Sequence, residues 1–450
     1  MTFTKAINSE EQINSSRSIR RLLKQRWFVV VLTLILTGLG AALTGVLFKA
    51  GIHFLEDWRL KLREDLPTWF LLPSLGALGG LVSALLISRL APAAGGSGVT
   101  HIMGYLRHKA VPMGLRVGVI KLIAGIIAIG SGFPLGPEGP AVQMGGSVAW
   151  KMAQILKAPR PFRRVIVAAG GGAGIAAVFS APIGGFIYAI EELLNSARPV
   201  ILLLVVVTTF WADTWADILQ SFGLDPTAGG FNSSVGFQLV RKYNTDIAFF
   251  PIDLAYLIAL GVIIGILAEL YSRYVLTMQR KGNQLFQNRL VLRMVLSGFL
   301  LGIIYASLSD SFHDISSLQY EIATGNLGIR KALEIFTVLF ITTGLAAASG
   351  APGGLFYPML TLGGAIGLAC GDWLQGITNY VPSTYVFAGM GAFVAGCSRT
   401  PITAMFLAFA LTKDLLILKP ILVACITSFL IARIFNEHSI YERQLNMEIT

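Results

Sequence analysis

Charged side chains are scarce in this chain. Asp, Glu, Lys and Arg make up 13% of its 450 residues, while 54% are hydrophobic. That balance excludes an ordinary soluble domain, and several windows reach the ~20 apolar residues needed to cross a bilayer. The chain reads as a polytopic membrane protein embedded in lipid. Its net charge of +11 invites a nucleic-acid partner, but the Lys and Arg are dispersed over loops between apolar runs, as in cytoplasmic loops that face anionic lipid. No nucleic-acid partner is expected. Cysteine is also sparse: Cys370, Cys397 and Cys425 lie in apolar segments without metal-ligand spacing, which gives no support to a disulfide framework or a zinc site. They read as packing residues. No cleavable leader is expected either. The stretch holding Arg17, Arg20, Arg21, Lys24 and Arg26 before Trp27 is too long and polar for one, and no small-residue cleavage site follows the first apolar run. The positive-inside rule keeps this arm, residues 1–26, in the cytoplasm.

Against this background one stretch stands out. Ser131 to Trp150 reads SGFPLGPEGPAVQMGGSVAW and sets a single carboxylate, Glu138, among glycines and prolines inside apolar sequence. A buried acid there needs a partner or a task. Ser349 to Leu368, SGAPGGLFYPMLTLGGAIGL, repeats the Ser-Gly-x-Pro opening, the Gly at the sixth place, the Pro at the tenth and the later Gly-Gly pair. The alignment sets Glu138 opposite Phe356 and Gly139-Pro140 opposite Tyr357-Pro358. Each copy reads as a glycine-rich turn leading into a helix with Pro in its first turn, where a missing N–H costs nothing. Such helices open with unpaired amides and roughly half a positive charge, an end that attracts anions.

The remaining chain is read around these two copies. Hydrophobic helices are expected from Trp27 to about Leu55 and from Trp69 to Leu90, followed by the small polar turn AAGGSGVT holding Ser97, for which an ordinary helix N-cap is the plain alternative. Lys121, inside the apolar run Val117–Ile129, is expected to snorkel or brace structure rather than bind a ligand. Ala141–Ile155, Val165–Phe179 and Pro182–Leu194 are each shorter than a full span and fit half-crossing helices, tolerated only where protein or a water-filled cavity lines them. The last of these holds Glu191 and Glu192, which point about 100° apart on a helix and so need different surroundings; one of them lying at the water boundary is the plain alternative.

A polar stretch rich in Gly, Asn and Ser, residues 221–249, divides a first membrane repeat, 27–220, from a second, 250–440, and a polar tail, 441–450, closes the chain. The repeat extends to GGGAGIAAVFSAPIGGFIYAIEEL from Gly170 against GMGAFVAGCSRTPITAMFLAFALT from Gly389, where Glu191 and Glu192 fall opposite Ala410 and Leu411. Matching segments interrupted by Gly and Pro point to a transporter site at the repeat interface. An acid needed for chemistry, unlike a scaffold acid, need appear only once.

Four stretches, GGSGVT at Gly95–Thr100, GPEGP at Gly136–Pro140, GGLFYP at Gly353–Pro358 and the tail SIYERQL around Tyr441, occur in the order found in one known family. Over nearly its whole length the sequence resembles the CLC family of chloride channels and chloride/proton antiporters. The resemblance implies an all-α fold with two inverted-topology repeats of tilted, partly broken helices, usually a homodimer with one pore per subunit. It also implies that Ser97 and Tyr441 offer hydroxyls to a central chloride and that the amides of Leu355 and Phe356 complete the cradle. By the same resemblance Glu138 matches the gating glutamate and Glu192 the inner proton-transfer glutamate, and Ser97 favours chloride over nitrate. No cofactor is expected beyond the substrates, chloride and protons. The implied setting is the plasma (inner) membrane with both termini cytoplasmic. Two departures are visible: Pro137 stands where the family usually has a basic residue, and no cytoplasmic regulatory domain is expected.

Physical chemistry points the same way. A full Lys or Arg charge holds chloride too firmly for rapid release, whereas hydroxyls, amides and helix ends are weaker ligands suited to transport. Ionised Glu138 competes for the anion position, and protonated Glu138 loses that attraction and can leave. By the resemblance, the presence of Glu192 alongside Glu138 favours antiport over a passive channel of the same fold. Gly95-Gly96-Ser97-Gly98 also fits the G-x-S-G of intramembrane serine proteases, but such an enzyme needs a histidine base. His53, His101, His108, His313 and His438 all lie in or near polar loops or segment ends, which leaves the protease a remote alternative, and no enzyme activity is expected.

Overall fold

The computed structural model describes residues 3–196, 198–224, 253–287, 289–313, 315–324, 327–378 and 382–449. From 225 onward the expected linker, 221–249, lies outside the described residues. The first half comprises α1 (Phe3–Asp65), α2 (Thr68–Leu90), α3 (Val99–Leu106), α4 (Leu115–Gly130), α5 (Glu138–Ile155), α6 (Arg160–Phe179), α7 (Pro182–Tyr188), which runs into a π-helical turn, Ala189–Leu194, and α8 (Pro199–Leu219). The second half comprises α9 (Asp253–Phe286), α10 (Leu290–Ala306), α11 (Ile315–Thr324), α12 (Gly328–Ser349), α13 (Phe356–Thr378), α14 (Pro382–Ser398), α15 (Pro401–Thr412), α16 (Leu418–Phe435) and α17 (Ile440–Ile449).

Among the described residues, seven helices are long and apolar enough to cross a membrane, and the chain is a multi-pass membrane protein. Several boundaries differ from the sequence reading, the first helix ending at Asp65 rather than about Leu55. The first helix begins at Phe3 rather than Trp27, because residues 3–37 contain neither Gly nor Pro to stop it. The helix ending at Phe179 begins at Arg160 and reaches 20 residues, a spanning length rather than a half crossing. Pro159 precedes it and Pro161 sits in its first turn, where proline starts a helix well.

Each helix keeps the neighbours of its counterpart in the other half. Thus α5 packs on α6 as α13 does on α14, α1 on α8 as α9 on α16, and α4 on α5 as α12 on α13. Between halves, α2 packs on α10 and α7 on α15, so that elements meet their own counterparts, as a pseudo-twofold axis requires. The central helices are apolar all round and correspondingly buried: every residue from Glu138 to Ala149 and from Ser383 to Ser398 is inside.

Small residues bring these helices close. A Cβ on Gly145 would lie 2.1 Å from the carbonyl oxygen of Gly170, and one on Gly363 would lie 2.2 Å from that of Gly389, which is the same crossing in the other repeat. In lipid, where helices gain little from the hydrophobic effect, such backbone contact supplies the packing.

Candidate functional site

The two matching turns meet at the middle of the molecule. Gly136 donates its N–H to the Gly354 carbonyl at 2.9 Å, and Gly354 returns the bond at 2.7 Å. These glycines are equivalent in the repeat alignment, so the antiparallel bridge between them marks where the halves join. A third turn, carrying Ser97, is added when Gly96 N–H bonds to Gly350 O at 3.0 Å. Lys121 braces that turn from α4, its Nζ donating to the carbonyls of Gly95 at 3.2 Å and Gly96 at 2.5 Å, in line with the bracing expected from sequence.

Ser97 does not cap α3. The N-cap is Gly98, at φ 91°, and it has no side-chain cap bond. Left-handed geometry there suits glycine, because a side chain is strained at positive φ. Gly139, in the first turn of α5, lets the Ser97 backbone approach so closely that a Cβ would meet the Ser97 carbonyl at 2.2 Å.

Glu138 opens α5 and is wholly buried. Its carboxylate crosses to the other half, where Oε1 accepts the Phe356 N–H at the head of α13. The amide expected to hold an anion is therefore held by an anion of the chain itself. Room for the carboxylate comes from Gly136 and Gly354, where a Cβ would lie 2.0 Å and 2.1 Å from its oxygens. Leu355, 2% exposed, precedes Phe356 at the same helix head.

Around Phe356 stand two tyrosines set edge-on to its ring, Tyr441 at 5.6 Å and Tyr188 at 5.7 Å between centroids. The hydroxyls of Ser97, Tyr188 and Tyr441 are buried and find no hydrogen-bond partner among the described residues. Leaving a buried hydroxyl unsatisfied costs about 1–3 kcal/mol, so the three together call for a ligand. Both tyrosines lie within electrostatic reach of Glu138 and Glu192.

Tyr188 was missed from sequence. It falls in an apolar run, and its hydroxyl acquires meaning only when α7 is packed against α13. Ser439 was missed as well, although S-x-x-E in SIYE is a capping-box signal.

The adjacent acids take separate roles. Glu191 accepts the Thr403 N–H and Oγ1–H, both at 2.8 Å, and the Ile402 N–H at 3.3 Å, which caps the opening of α15 in the opposite half. Glu192 is 6% exposed and accepts the Ser439 hydroxyl at 3.1 Å. A π turn around the pair departs from regular α geometry, as such turns often do at functional sites.

The helix that carries Tyr441 is tied down by ion pairs. Buried Glu269 binds Arg443 of α17 at 3.1 Å, Arg399 at 2.8 Å and Arg273 at 2.8 Å. A cavity of about 70 Å³ beside Pro137 and Tyr357 is lined by Lys49, Glu56 and Arg59 from α1. Among the described residues no group of three or more His, Cys, Asp or Glu side chains is placed to hold a metal.

A sequence model of the family described as Voltage gated chloride channel matches residues 79–433. The chain belongs to the voltage-gated chloride channel family, the CLC family. Among its relatives, the H(+)/Cl(-) exchange transporter ClcA of Cronobacter sakazakii is 30% identical over 441 residues, covering 94% of this chain and 91% of that one. The protein of the same name from Vibrio parahaemolyticus is 28% identical and covers 93% and 90%. The crystal structure of a slow cyanobacterial Cl-/H+ antiporter superposes with a TM-score of 0.83 at 25% identity, covering 93% of this chain and 98% of that one. A eukaryotic CLC transporter, 22% identical, shares the fold with a TM-score of 0.77 over 94% of this chain and 74% of its own. The all-α, two-repeat CLC architecture expected from sequence is thus the observed fold.

Proposed function

We propose that this CLC protein is a chloride/proton antiporter in which Glu138 alternates with chloride at the head of α13. The observation that carries this reading is the Glu138 carboxylate seated on the Phe356 amide, beside buried hydroxyls without partners. An ionised carboxylate and a chloride ion compete for the same helix-end field. Protonation removes the charge that holds Glu138 there, so binding a proton and admitting an anion become one event. Ser97 and Tyr441, joined by Tyr188, supply hydroxyl donors, and the amides at Leu355 and Phe356 complete the cradle. Partial charges of this kind bind an anion without trapping it.

Glu192 exchanges protons with the opposite aqueous face. Beside Pro137, which carries no charge, Lys49 and Arg59 from α1 outweigh Glu56 in the cavity lining, and a net positive lining favours anions at the outer mouth. Lys49 lies 22 residues past Trp27, about 33 Å along the helix, which sets this mouth a bilayer's thickness from the basic arm. A cytoplasmic arm therefore makes it the outer mouth. The protein works as a homodimer with one pore per subunit, in the plasma membrane, with both termini cytoplasmic.

Liposomes loaded with chloride and a pH indicator test this directly. The expected result is proton movement opposite to chloride, driven by either gradient alone. Chloride flux with no proton flux at all sinks the antiporter reading and leaves a passive channel.

A further inference from the structure

From Leu254 to Leu270 every exposed side chain of α9 is apolar, a length of about 24 Å that approaches the hydrocarbon depth of a bilayer. Ile263, Ile266 and Leu270 lie on one stripe at helical spacing, and the same stripe runs on through Arg273, Thr277 and Arg280, all exposed. The step from Leu270 to Arg273 therefore marks the level where acyl chains give way to headgroups. At that level α17 packs against α9, joined to it by Arg443 on Glu269 and by Gln444 on Gln279. Between the two helices lies an open cavity of about 500 Å³, lined by Arg273, Thr277 and Arg280 from one side and by Arg443, Asn446 and Met447 from the other.

Positive charge is in excess there. No carboxylate is among the described residues that line the cavity, and the acid behind it, Glu269, is shared by Arg273, Arg399 and Arg443. One negative charge answers three guanidiniums. Arg399 is 7% exposed, and its Nη1 still finds no hydrogen-bond partner among the described residues. Arg280 forms no ion pair among them, and its guanidinium meets the Met447 sulfur at 3.8 Å. Like charges gathered in one groove repel until an anion enters.

We propose that this groove binds the phosphate of an anionic phospholipid, its headgroup among Arg273, Arg280 and Arg443 and its acyl chains along Ile263, Ile266 and Leu270. Guanidinium forks match phosphate oxygens in pairs, and basic pockets between membrane helices are where acidic headgroups bind. A free phosphate ion would satisfy the same arginines. The apolar stripe that runs straight into the groove favours the lipid, which alone uses both parts. A headgroup seated there ties α9 to α17, the helix that carries Tyr441. The site stands whether or not protons accompany chloride.

The test titrates short-chain phosphatidylglycerol into the purified full chain in neutral detergent and reads binding by calorimetry, with phosphatidylcholine and inorganic phosphate as separate arms. Phosphatidylglycerol should bind saturably and more tightly than either. Arg280→Gln and Arg273→Gln should each weaken it about fivefold, the share of one cation beside an anionic headgroup. Lys281→Gln, which removes the same charge from a residue that does not line the groove, should bind like the wild type. The site is overturned if the two lipids bind alike, if Arg280→Gln binds phosphatidylglycerol like the wild type, or if Lys281→Gln loses as much as Arg280→Gln. Inorganic phosphate that binds as tightly as the lipid, with the same loss in Arg280→Gln, overturns the lipid as occupant and assigns the arginines to a soluble phosphate. Should Arg273→Gln fail to fold through loss of its bond to Glu269, Arg280→Gln, which breaks no ion pair, decides alone.

Discussion

Replacing Glu138 with Gln probes the competition at the head of α13 most directly. The carboxylate is fully buried and accepts the Phe356 amide. A hydrogen bond to a charged acceptor contributes about 1.5–3 kcal/mol against about 1 kcal/mol for a neutral one, and a negative charge at a helix N-terminus adds about 0.3–1 kcal/mol. Gln keeps the shape of the side chain and loses roughly 1–3 kcal/mol of that hold. At ~1.4 kcal/mol per factor of ten, chloride competing for the same place gains ~5- to 150-fold in apparent affinity. Calorimetric titration of chloride into purified wild type and Glu138→Gln reads this gain. Liposome assays of the variant should show chloride flux retained and proton movement abolished. Equal chloride affinities in the two proteins, or proton movement that persists in the variant, would refute the competition.

Two further predictions concern the scaffold. Glu191→Ala removes the acceptor of the Ile402 and Thr403 amides and should cost about 1–2 kcal/mol, as loss of a helix cap does. The readout is a lower Tm with the proton-to-chloride ratio unchanged, and a changed ratio would assign Glu191 to proton transfer instead. Gly363→Val drives a side chain into a backbone oxygen 2.2 Å from its Cβ and should destabilise by about 1–3 kcal/mol or more, whereas Gly114→Ala, with nothing within 4 Å of its Cβ, should leave Tm near wild type.

Much of this was legible in the sequence, because a repeat announces itself. The turn around Glu138 and its copy before Phe356 share Gly at the second, sixth, fifteenth and sixteenth places, and that match marks the joint between halves. Helix ends were less legible. The run before Trp27 is polar, so hydropathy stopped the first helix there, while the backbone, meeting no Gly or Pro, starts it at Phe3. Glu191 and Glu192 could be told apart only as needing different surroundings, because their partners Thr403 and Ser439 are more than two hundred residues away. Tyr188 was invisible for the opposite reason. An aromatic residue in an apolar helix is ordinary until a second helix brings Phe356 against its ring.

The reciprocal bonds between Gly136 and Gly354 have a mechanical consequence. Stitched backbone to backbone beside Glu138, the two repeats cannot swing apart there without breaking these bonds. Under the alternation proposed above, passage would then be timed by the Glu138 side chain rather than by a parting of the repeats.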